Sequence, residues 1–227
     1  MNLRALYNNK KVLVTGGGTR EMIDRVRYIG NRSSGKMGCA LARVLKQVGA
    51  HVTLILGTAT VHPPQGVHCI RVTSADEMAE AVKREYPAMQ MIFMAAAVAD
   101  WTPETPVMNK ISKGTRKKWS LKLIRTTDIL AELGMQKGNR ILVGFAAESE
   151  NMIINAAYKL KAKHLDIIAA NNISIPGQGF GSDENAAELI DSTGRTESIR
   201  RMKKTIFARK LLNFTAQYIV RTNRIDA

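Results

Sequence analysis

The sequence is poor in cysteine and in long apolar runs, and each scarcity excludes a class of protein. Only Cys39 and Cys69 occur among 227 residues, without metal-binding spacing, so we expect two reduced packing thiols and no disulfide scaffold. No run of about 18 apolar residues occurs, which excludes a predicted membrane span. Residues 1–4 lack the apolar character of a signal peptide, so we expect a cytoplasmic protein.

Acidic residues are scarce in two segments, and these segments account for most of the formal net charge of +15. Residues 110–125 carry seven Lys/Arg and no acid, which is typical of an anion-binding flap. Residues 195–227 carry nine Lys/Arg against two acids, which fits a solvated helical face. Aromatic residues make up 5% and do not alternate with these bases. A nucleic-acid-binding module is therefore disfavoured, and we expect no nucleic-acid partner.

Short apolar runs alternate with helical patterns, which predicts an α/β protein. We expect a Rossmann-like three-layer α/β/α sandwich with a mainly parallel sheet, formed as a single domain over residues 1–227. The predicted strands are 12–15, 51–56, 68–71, 91–95, 141–145 and 166–170, and the predicted helices are 34–47, 75–85, 128–133 and 151–163. Segments 101–125 and 186–199 break this alternation. We interpret them as extra strands outside the main sheet that form a small flap or a dimer contact.

Two glycine-bearing turns follow the first predicted strand, and both favour an anionic ligand. Glycines at 16–18 and at 35 let backbone N–H groups approach a ligand closely, and the second turn opens a helix. Loops at the carboxyl ends of parallel strands form the ligand site in such sheets. The pattern therefore predicts a phosphorylated small molecule as the ligand.

Two familiar nucleotide motifs fail in this region. The dinucleotide fingerprint begins with Gly16-x-Gly18, but Glu21 stands at the third glycine position. A P-loop is imitated by Gly30-x-x-x-x-Gly35-Lys36, but Met37 follows where Ser or Thr would ligate Mg²⁺. An NAD(P)-dependent Rossmann-fold oxidoreductase nevertheless remains the alternative hypothesis. Its Tyr-x-x-x-Lys pair would require lysine at Ala162, four residues after Tyr158.

Residues 17–38, GGTREMIDRVRYIGNRSSGKMG, closely resemble the phosphopantothenoylcysteine synthetase (phosphopantothenate–cysteine ligase) family. Further blocks match in the same order: AAAVADWTP at 95–103, KISK at 110–113, VGFAAE at 143–148, DIIAAN at 166–171 and FGSDEN at 180–185. The family's flap pattern is Lys-x-Lys-Lys, so Ser112 replaces one lysine here.

The resemblance implies a ligase of coenzyme A biosynthesis. A nucleoside triphosphate would activate the carboxylate of 4′-phosphopantothenate as an acyl-nucleotidylate, and the cysteine amine would then attack the acyl carbon. Bacterial members use CTP and animal members ATP; the blocks are of the bacterial type, so we expect CTP as co-substrate together with Mg²⁺. The resemblance also implies a homodimer. Because no flavin-dependent decarboxylase domain precedes these blocks, we expect a stand-alone synthetase, with a separate phosphopantothenoylcysteine decarboxylase acting next.

The resemblance further implies roles for individual residues. Lys110 and Asn31 correspond to catalytic residues: a cation beside the α-phosphate stabilises developing charge, and a side-chain amide orients the acyl group. The residues expected to bind substrate are Arg27, Gly17, Ser33, Ser34, Gly35 and Ala96. Those expected to bind nucleotide are Ala95, Asp100, Lys110, Asp128, Ile129, Phe145, Lys159 and Lys163.

Two points are left open by the resemblance. Arg27 could bind the substrate phosphate in its own subunit or across a dimer, or it could simply pair with Asp24 or Glu21. The metal ligands are not identified, because Mg²⁺ held mainly by phosphates and water needs no protein cage. Asp183 and Glu184 are candidates for a contribution.

Overall fold

A mainly parallel sheet forms the centre of the molecule. The computed structural model describes residues 2–115, 117–174 and 181–224. The strands in these ranges are β1 (Lys11–Gly16), β2 (Arg20–Met22), β3 (Tyr28–Gly30), β4 (His51–Leu56), β5 (His68–Arg71), β6 (Met91–Met94), β7 (Trp101–Pro103), β8 (Leu123–Arg125), β9 (Ile141–Glu148), β10 (Ile167–Asn172), β11 (Glu184–Asp191) and β12 (Thr196–Lys203). The main sheet has the order β12-β11-β10-β9-β6-β1-β4-β5. Strands β4 and β5 are added on one side of β1 and strands β6 to β12 on the other, so the strand order reverses between β1 and β6 although these two strands are parallel.

Helices cover both faces of this sheet and complete the predicted three-layer sandwich. They are α1 (Leu3–Tyr7), α2 (Lys36–Gln47), α3 (Ala75–Glu85), α4 (Ile129–Gln136), α5 (Met152–Ala162) and α6 (Lys204–Thr222). Because successive strand residues point to opposite faces, Val12 and Val14 pack with α2 and α6 while Leu13 packs with α3. The prediction of an α/β/α sandwich is confirmed.

The six strands and four helices predicted from apolar patterning are all present, with ends shifted by up to three residues. The second helix begins at Lys36 instead of residue 34, because Gly35 has φ +74° and precedes the first helical residue. None of the described helices combines the length and apolarity needed to cross a bilayer.

The prediction that residues 186–199 lie outside the main sheet is wrong. β11 and β12 pair with each other and extend the main sheet antiparallel to β10. The physical reason is burial on both faces: Leu189 packs in one core and Ile190 in the other. This hairpin also covers the edge of β10, which would otherwise expose unpaired backbone groups.

The segment 101–125 does form strands outside the main sheet, but at other positions than its alternating pattern indicated. β7 pairs with β8 as a separate two-stranded sheet, and residues 119–122 are not in a strand. A further hairpin, β2–β3, was not predicted because its strands are three residues long. Contacts between β2 and β7 place the two small sheets side by side.

Candidate active site

A cavity of about 640 Å³ opens at the carboxyl ends of β6, β9 and β10, beside the reversal of strand order. Such a reversal leaves a crevice between neighbouring loops and is the usual ligand position in open α/β sheets. Twelve residues predicted from the sequence line this cavity: Asn31, Ser33, Ser34, Gly35, Ala95, Ala96, Asp100, Asp128, Ile129, Phe145, Lys159 and Lys163.

The first turn of α2 forms one wall of the cavity. A Cβ atom on Gly35 would lie 2.6 Å from the Cβ of Ala59, and the positive φ of Gly35 also disfavours any other residue. This glycine therefore lets the chain enter α2 directly at the cavity, where unpaired N–H groups favour an anion. Nearby, the Asn31 amide donates to the carbonyl of Val98 at 2.8 Å, which holds Asn31 against the loop after β6.

Lys159 and Lys163 form another, cationic part of the cavity, and carboxylates accompany them. Lys159 Nζ lies 2.6 Å from Glu148 Oε1, and Lys163 Nζ lies 2.8 Å from Asp128 Oδ2. Asp128 also caps α4 by accepting from the Ala131 N–H at 3.0 Å. An anionic ligand bound to these lysines would take over the electrostatic role of the two carboxylates.

Several polar and charged residues that line the cavity were not predicted from the sequence, among them Lys36, Lys204 and Asn171. Lys36 pairs with Asp183 at 2.6 Å, and the buried Lys204 donates to the Ser182 carbonyl. The hydrogen bond from Lys36 lowers the pKa of Asp183, whereas burial and the charge of Lys36 lower the pKa of Lys204.

Asn171 is another unpredicted cavity residue, and its amide donates to Asn185 and to the Ala186 carbonyl. Lys36 and Asn171 lie in family blocks and could have been proposed from them. No local sequence signal marks Lys204, since α6 reaches the cavity only through the fold.

Arg27 and Lys110 do not line this cavity. They line a second pocket of about 540 Å³, together with Ile111, Ser112, Lys113, Lys117, Lys118 and Trp119. Gly17 lines neither pocket; its carbonyl accepts from the Ala97 N–H beneath the first cavity. Within one chain, Arg27 and Lys110 thus lie in a different pocket from the twelve cavity residues.

Carboxylates that could contact a divalent cation are few in the cavity. Among the residues that the structure describes, no group of three or more His, Cys, Asp or Glu side chains is arranged to hold a metal. The cavity carboxylates are Asp100 and Asp128. Asp183 and Glu184 are instead paired with Lys36 and Arg201. Of the FGSDEN block, Phe180 lies outside the described residues.

The sheet, the cavity at its reversal point and the lysines that line it define a Rossmann-like α/β protein with a candidate site suited to an anionic small molecule. The chain belongs to the family described as DNA/pantothenate metabolism flavoprotein C-terminal domain, whose model matches residues 7–219.

Individual relatives agree with this membership. The chain is 44% identical over 201 residues to the coenzyme A biosynthesis bifunctional protein CoaBC of Bacillus subtilis (strain 168), covering 88% of this chain and 49% of that protein. With the Mycobacterium tuberculosis (strain ATCC 25618 / H37Rv) protein of the same name it shares 39% over 221 residues, covering 92% and 53%. The chain thus spans about half the length of the curated relatives it matches.

A solved structure covers the same region. The crystal structure of the C-terminal domain of CoaBC superposes with a TM-score of 0.80 at 34% identity, covering 94% of this chain and 97% of that one. The match to this separate domain explains why the chain aligns with only about half of the bifunctional proteins.

Proposed function

We propose that this chain joins 4′-phosphopantothenate to L-cysteine through an acyl-cytidylate, at the expense of CTP, in coenzyme A biosynthesis. The observation that carries the proposal is the meeting of twelve residues, predicted from the family resemblance, in one cavity at the carboxyl edge of the sheet. Its similarity to the C-terminal domain of CoaBC extends over nearly the whole chain. Neither observation favours the oxidoreductase alternative, and Ala162 stands where that chemistry needs lysine.

The cationic wall suits the triphosphate of the nucleotide. Lys159 and Lys163 lie four residues apart, so their side chains project from the same side of the α5 region toward the cavity. In the structure each lysine already holds a negative group within ion-pair distance, Glu148 beside Lys159 and Asp128 beside Lys163. Phe145, at the carboxyl end of the sheet, would frame the cytosine base.

Activation of the carboxylate is the first chemical step. A carboxylate oxygen of 4′-phosphopantothenate forms a bond to the α-phosphorus, and the bond from that phosphorus to the pyrophosphate oxygen breaks. The ammonium of Lys110 would stabilise the negative charge that develops on the α-phosphate. Lys110 is exposed in the second pocket, so it must reach a cavity that it does not line in this structure.

Amide formation is the second step. The neutral cysteine amine attacks the acyl carbon, CMP leaves, and the nitrogen loses a proton to water. Asn31 would donate to the acyl oxygen as charge develops there, because the contact with Val98 occupies only one of its two N–H groups.

A magnesium ion would fit this site only if the phosphates of the bound nucleotide supplied part of its coordination. Asp100 and Asp128 would hold it, together with phosphate oxygens and water, which suits the preference of Mg²⁺ for few protein ligands. When bound, it would neutralise part of the triphosphate charge.

A homodimer is part of the proposal. Large apolar side chains are exposed on and beside the two small sheets: Met22, Val26, Tyr28, Trp101, Val107, Met108, Trp119, Leu123 and Ile124. A patch of this kind is typical of a protein interface. A second copy docked there would bring its Arg27 and Lys110 close to this chain's substrates. The product would pass to a phosphopantothenoylcysteine decarboxylase.

The test is pyrophosphate release with each of the four nucleoside triphosphates, in the presence of 4′-phosphopantothenate and cysteine. We expect CTP to support the fastest release and CMP to form in equal amount. Thermal shift with CTP, NADPH and an oligonucleotide runs in parallel. Stabilisation by NADPH or the oligonucleotide alone, without pyrophosphate release, would overturn the proposal.

Two variants separate the half-reactions. Lys110→Gln should slow acyl-cytidylate formation, with the exposed Lys122→Gln as matched control in the same basic segment. Asn31→Asp should let acyl-cytidylate accumulate, detectable after acid quench. Normal pyrophosphate release by the first variant, or normal product turnover by the second, would contradict the assigned role.

A further inference from the structure

The carboxylate of Asp24 is fully buried, accepts three backbone hydrogen bonds and forms an ion pair with Arg27. Its Oδ1 accepts from the backbone N–H groups of Val26 and Arg27, both at 2.8 Å, which fixes the β2–β3 turn. Its Oδ2 lies 2.8 Å from Arg27 Nη2 in an ion pair and accepts from the Ile111 N–H at 3.1 Å. Asp24 therefore does more than shape its own turn, because one oxygen binds a residue 87 positions away.

Ile111 is held on both of its backbone polar groups. While its N–H donates to Asp24, its carbonyl accepts from Arg27 Nη2 at 2.6 Å. The same region is tied a second time, since the Val107 N–H donates to the Ile23 carbonyl at 3.0 Å. We refer to Asp24, Arg27 and Ile111 as the clasp. Lys110 directly precedes the clasped residue, so the clasp determines where the backbone of Lys110 lies.

We propose that Asp24 is a positioning residue for Lys110: with Arg27 it holds Ile111 and thereby presents Lys110 and Arg27 to the reaction as one unit. This inference rests on the proposed function, because it takes Lys110 as the residue that serves acyl-nucleotide formation. It adds a geometric constraint to that function. If Arg27 acts across the dimer, Lys110 acts across it as well, in the same active site.

The chemistry of the clasp allows it to persist while Arg27 binds an anion. The Arg27 side chain contacts Asp24 and the Ile111 carbonyl through Nη2 in both cases, so its Nε and Nη1 can donate to a phosphate. Arg27 also lies 5.3 Å from the centre of the Trp119 ring, which adds a cation–π contact to the same basic segment. Burial opposes ionisation of Asp24, but the hydrogen bonds from Val26, Ile111 and Arg27 and the charge of Arg27 outweigh it and lower its pKa to about 2. The Asp24 carboxyl is therefore ionised at neutral pH, and its ion pair with Arg27 persists there.

Amide hydrogen exchange of the full chain tests the clasp without reference to activity. In Asp24→Asn the side chain loses its charge and one acceptor, so the Ile111 N–H should exchange about tenfold faster. Amides of β1 and β9 should keep their protection. The control is Glu104→Gln, an exposed acid near Lys122 that makes no clasp contact. Unchanged exchange at Ile111 in Asp24→Asn would refute the clasp whatever the activity.

Kinetics test the positioning role. Displacing a catalytic group by about 1 Å can cost about 100-fold in rate, so kcat for pyrophosphate release should fall between about tenfold and 100-fold in Asp24→Asn. The KM for CTP should change little, because the cationic wall of the main cavity is untouched. Glu104→Gln should retain the wild-type kcat. A wild-type kcat in Asp24→Asn, with faster exchange at Ile111, would overturn the positioning role.

A double-mutant cycle distinguishes this inference from the proposed function. Once Lys110→Gln has removed the catalytic cation, adding Asp24→Asn should have little further effect on kcat. If Asp24→Asn lowers kcat by the same factor with and without Lys110→Gln, the positioning role of Asp24 is overturned. If Lys110→Gln alone leaves pyrophosphate release intact, the role of Lys110 in the proposed function fails, while the exchange experiment still reports on the clasp.

A second variant covers the case in which Asp24→Asn does not fold. Ile111→Pro removes the N–H that Asp24 accepts and leaves the buried carboxylate with its turn contacts. Its kcat should fall in the same range as that of Asp24→Asn, and a wild-type kcat would overturn the inference.

Discussion

Replacing Gly38 by alanine is expected to destabilise the protein, although the residue lies inside a helix. A Cβ atom at this position would lie 2.7 Å from the Cα of Gly16 and 2.9 Å from the carbonyl oxygen of Thr15. Both are backbone atoms at the end of β1, so neither can swing away as a side chain would. An ordinary contact needs at least 3.4 Å, so α2 must move away from β1 by about 0.7 Å.

Two opposing terms set the expected magnitude. Overpacking of this kind costs up to about 3 kcal/mol, because two rigid elements must separate. Alanine has a helix propensity about 1 kcal/mol better than that of glycine, which offsets part of the cost. The net loss of unfolding free energy is therefore up to about 2 kcal/mol, equivalent to a fall in Tm of up to roughly 4–8 °C for a chain of this size.

The assay is thermal and urea unfolding of Gly38→Ala beside the wild type. The exposed Arg43 on the same helix serves to measure the difference in helix propensity between alanine and glycine without a packing effect. The unfolding free energies of Arg43→Ala and Arg43→Gly should differ by about 1 kcal/mol. The affinity for CTP should also weaken in Gly38→Ala, because the first turn of α2 forms part of the cavity. A Tm equal to or above that of the wild type would refute the close-packing argument.

Three further predictions concern charged groups. The Asp24 carboxylate, with a pKa lowered from 3.8 to about 2, should contribute stability above about pH 4 that is lost as the pH falls toward 2. The Tm difference between wild type and Asp24→Asn should therefore shrink over that window, and a constant difference would contradict it. Asp166 is fully buried and accepts from Lys137, so Asp166→Asn should cost about 3 kcal/mol in urea unfolding; an unchanged midpoint would argue against this. Lys159→Gln should raise the Kd for CTP about fivefold more than Lys161→Gln, the exposed control on the same helix; equal values would remove Lys159 from the triphosphate site.

The central strands were predictable because their signal is local. β1 and β6 lie in the middle of a parallel sheet, so both of their faces are buried and their sequences are short continuous apolar runs. The β11–β12 hairpin also shows a regular pattern, but its pattern does not reveal which sheet edge it joins. That choice depends on the free edge of β10, which exists only after the parallel strands have assembled.

The candidate site was predictable to the extent that its residues lie in compact motifs. The turn from Asn31 to Gly35 and the loop from Ala95 to Asp100 were both assigned to the site, and both line the cavity. Lys204 was missed because it belongs to a helix remote in sequence, whose position follows from the sheet edge. The separation of Lys110 from the cavity was also missed, because motif order carries no information on which loops meet.

By itself the sequence determined the layered α/β architecture and the glycine-bearing turns, since burial periodicity and glycine conformations act over a few neighbouring residues. Only the tertiary structure decided that Lys36 and Lys204 share one cavity, and that Asp24 holds Ile111 beside Lys110. These contacts join residues far apart along the chain. Their free energy is gained only when the intervening segments have folded, so no short stretch of sequence encodes them.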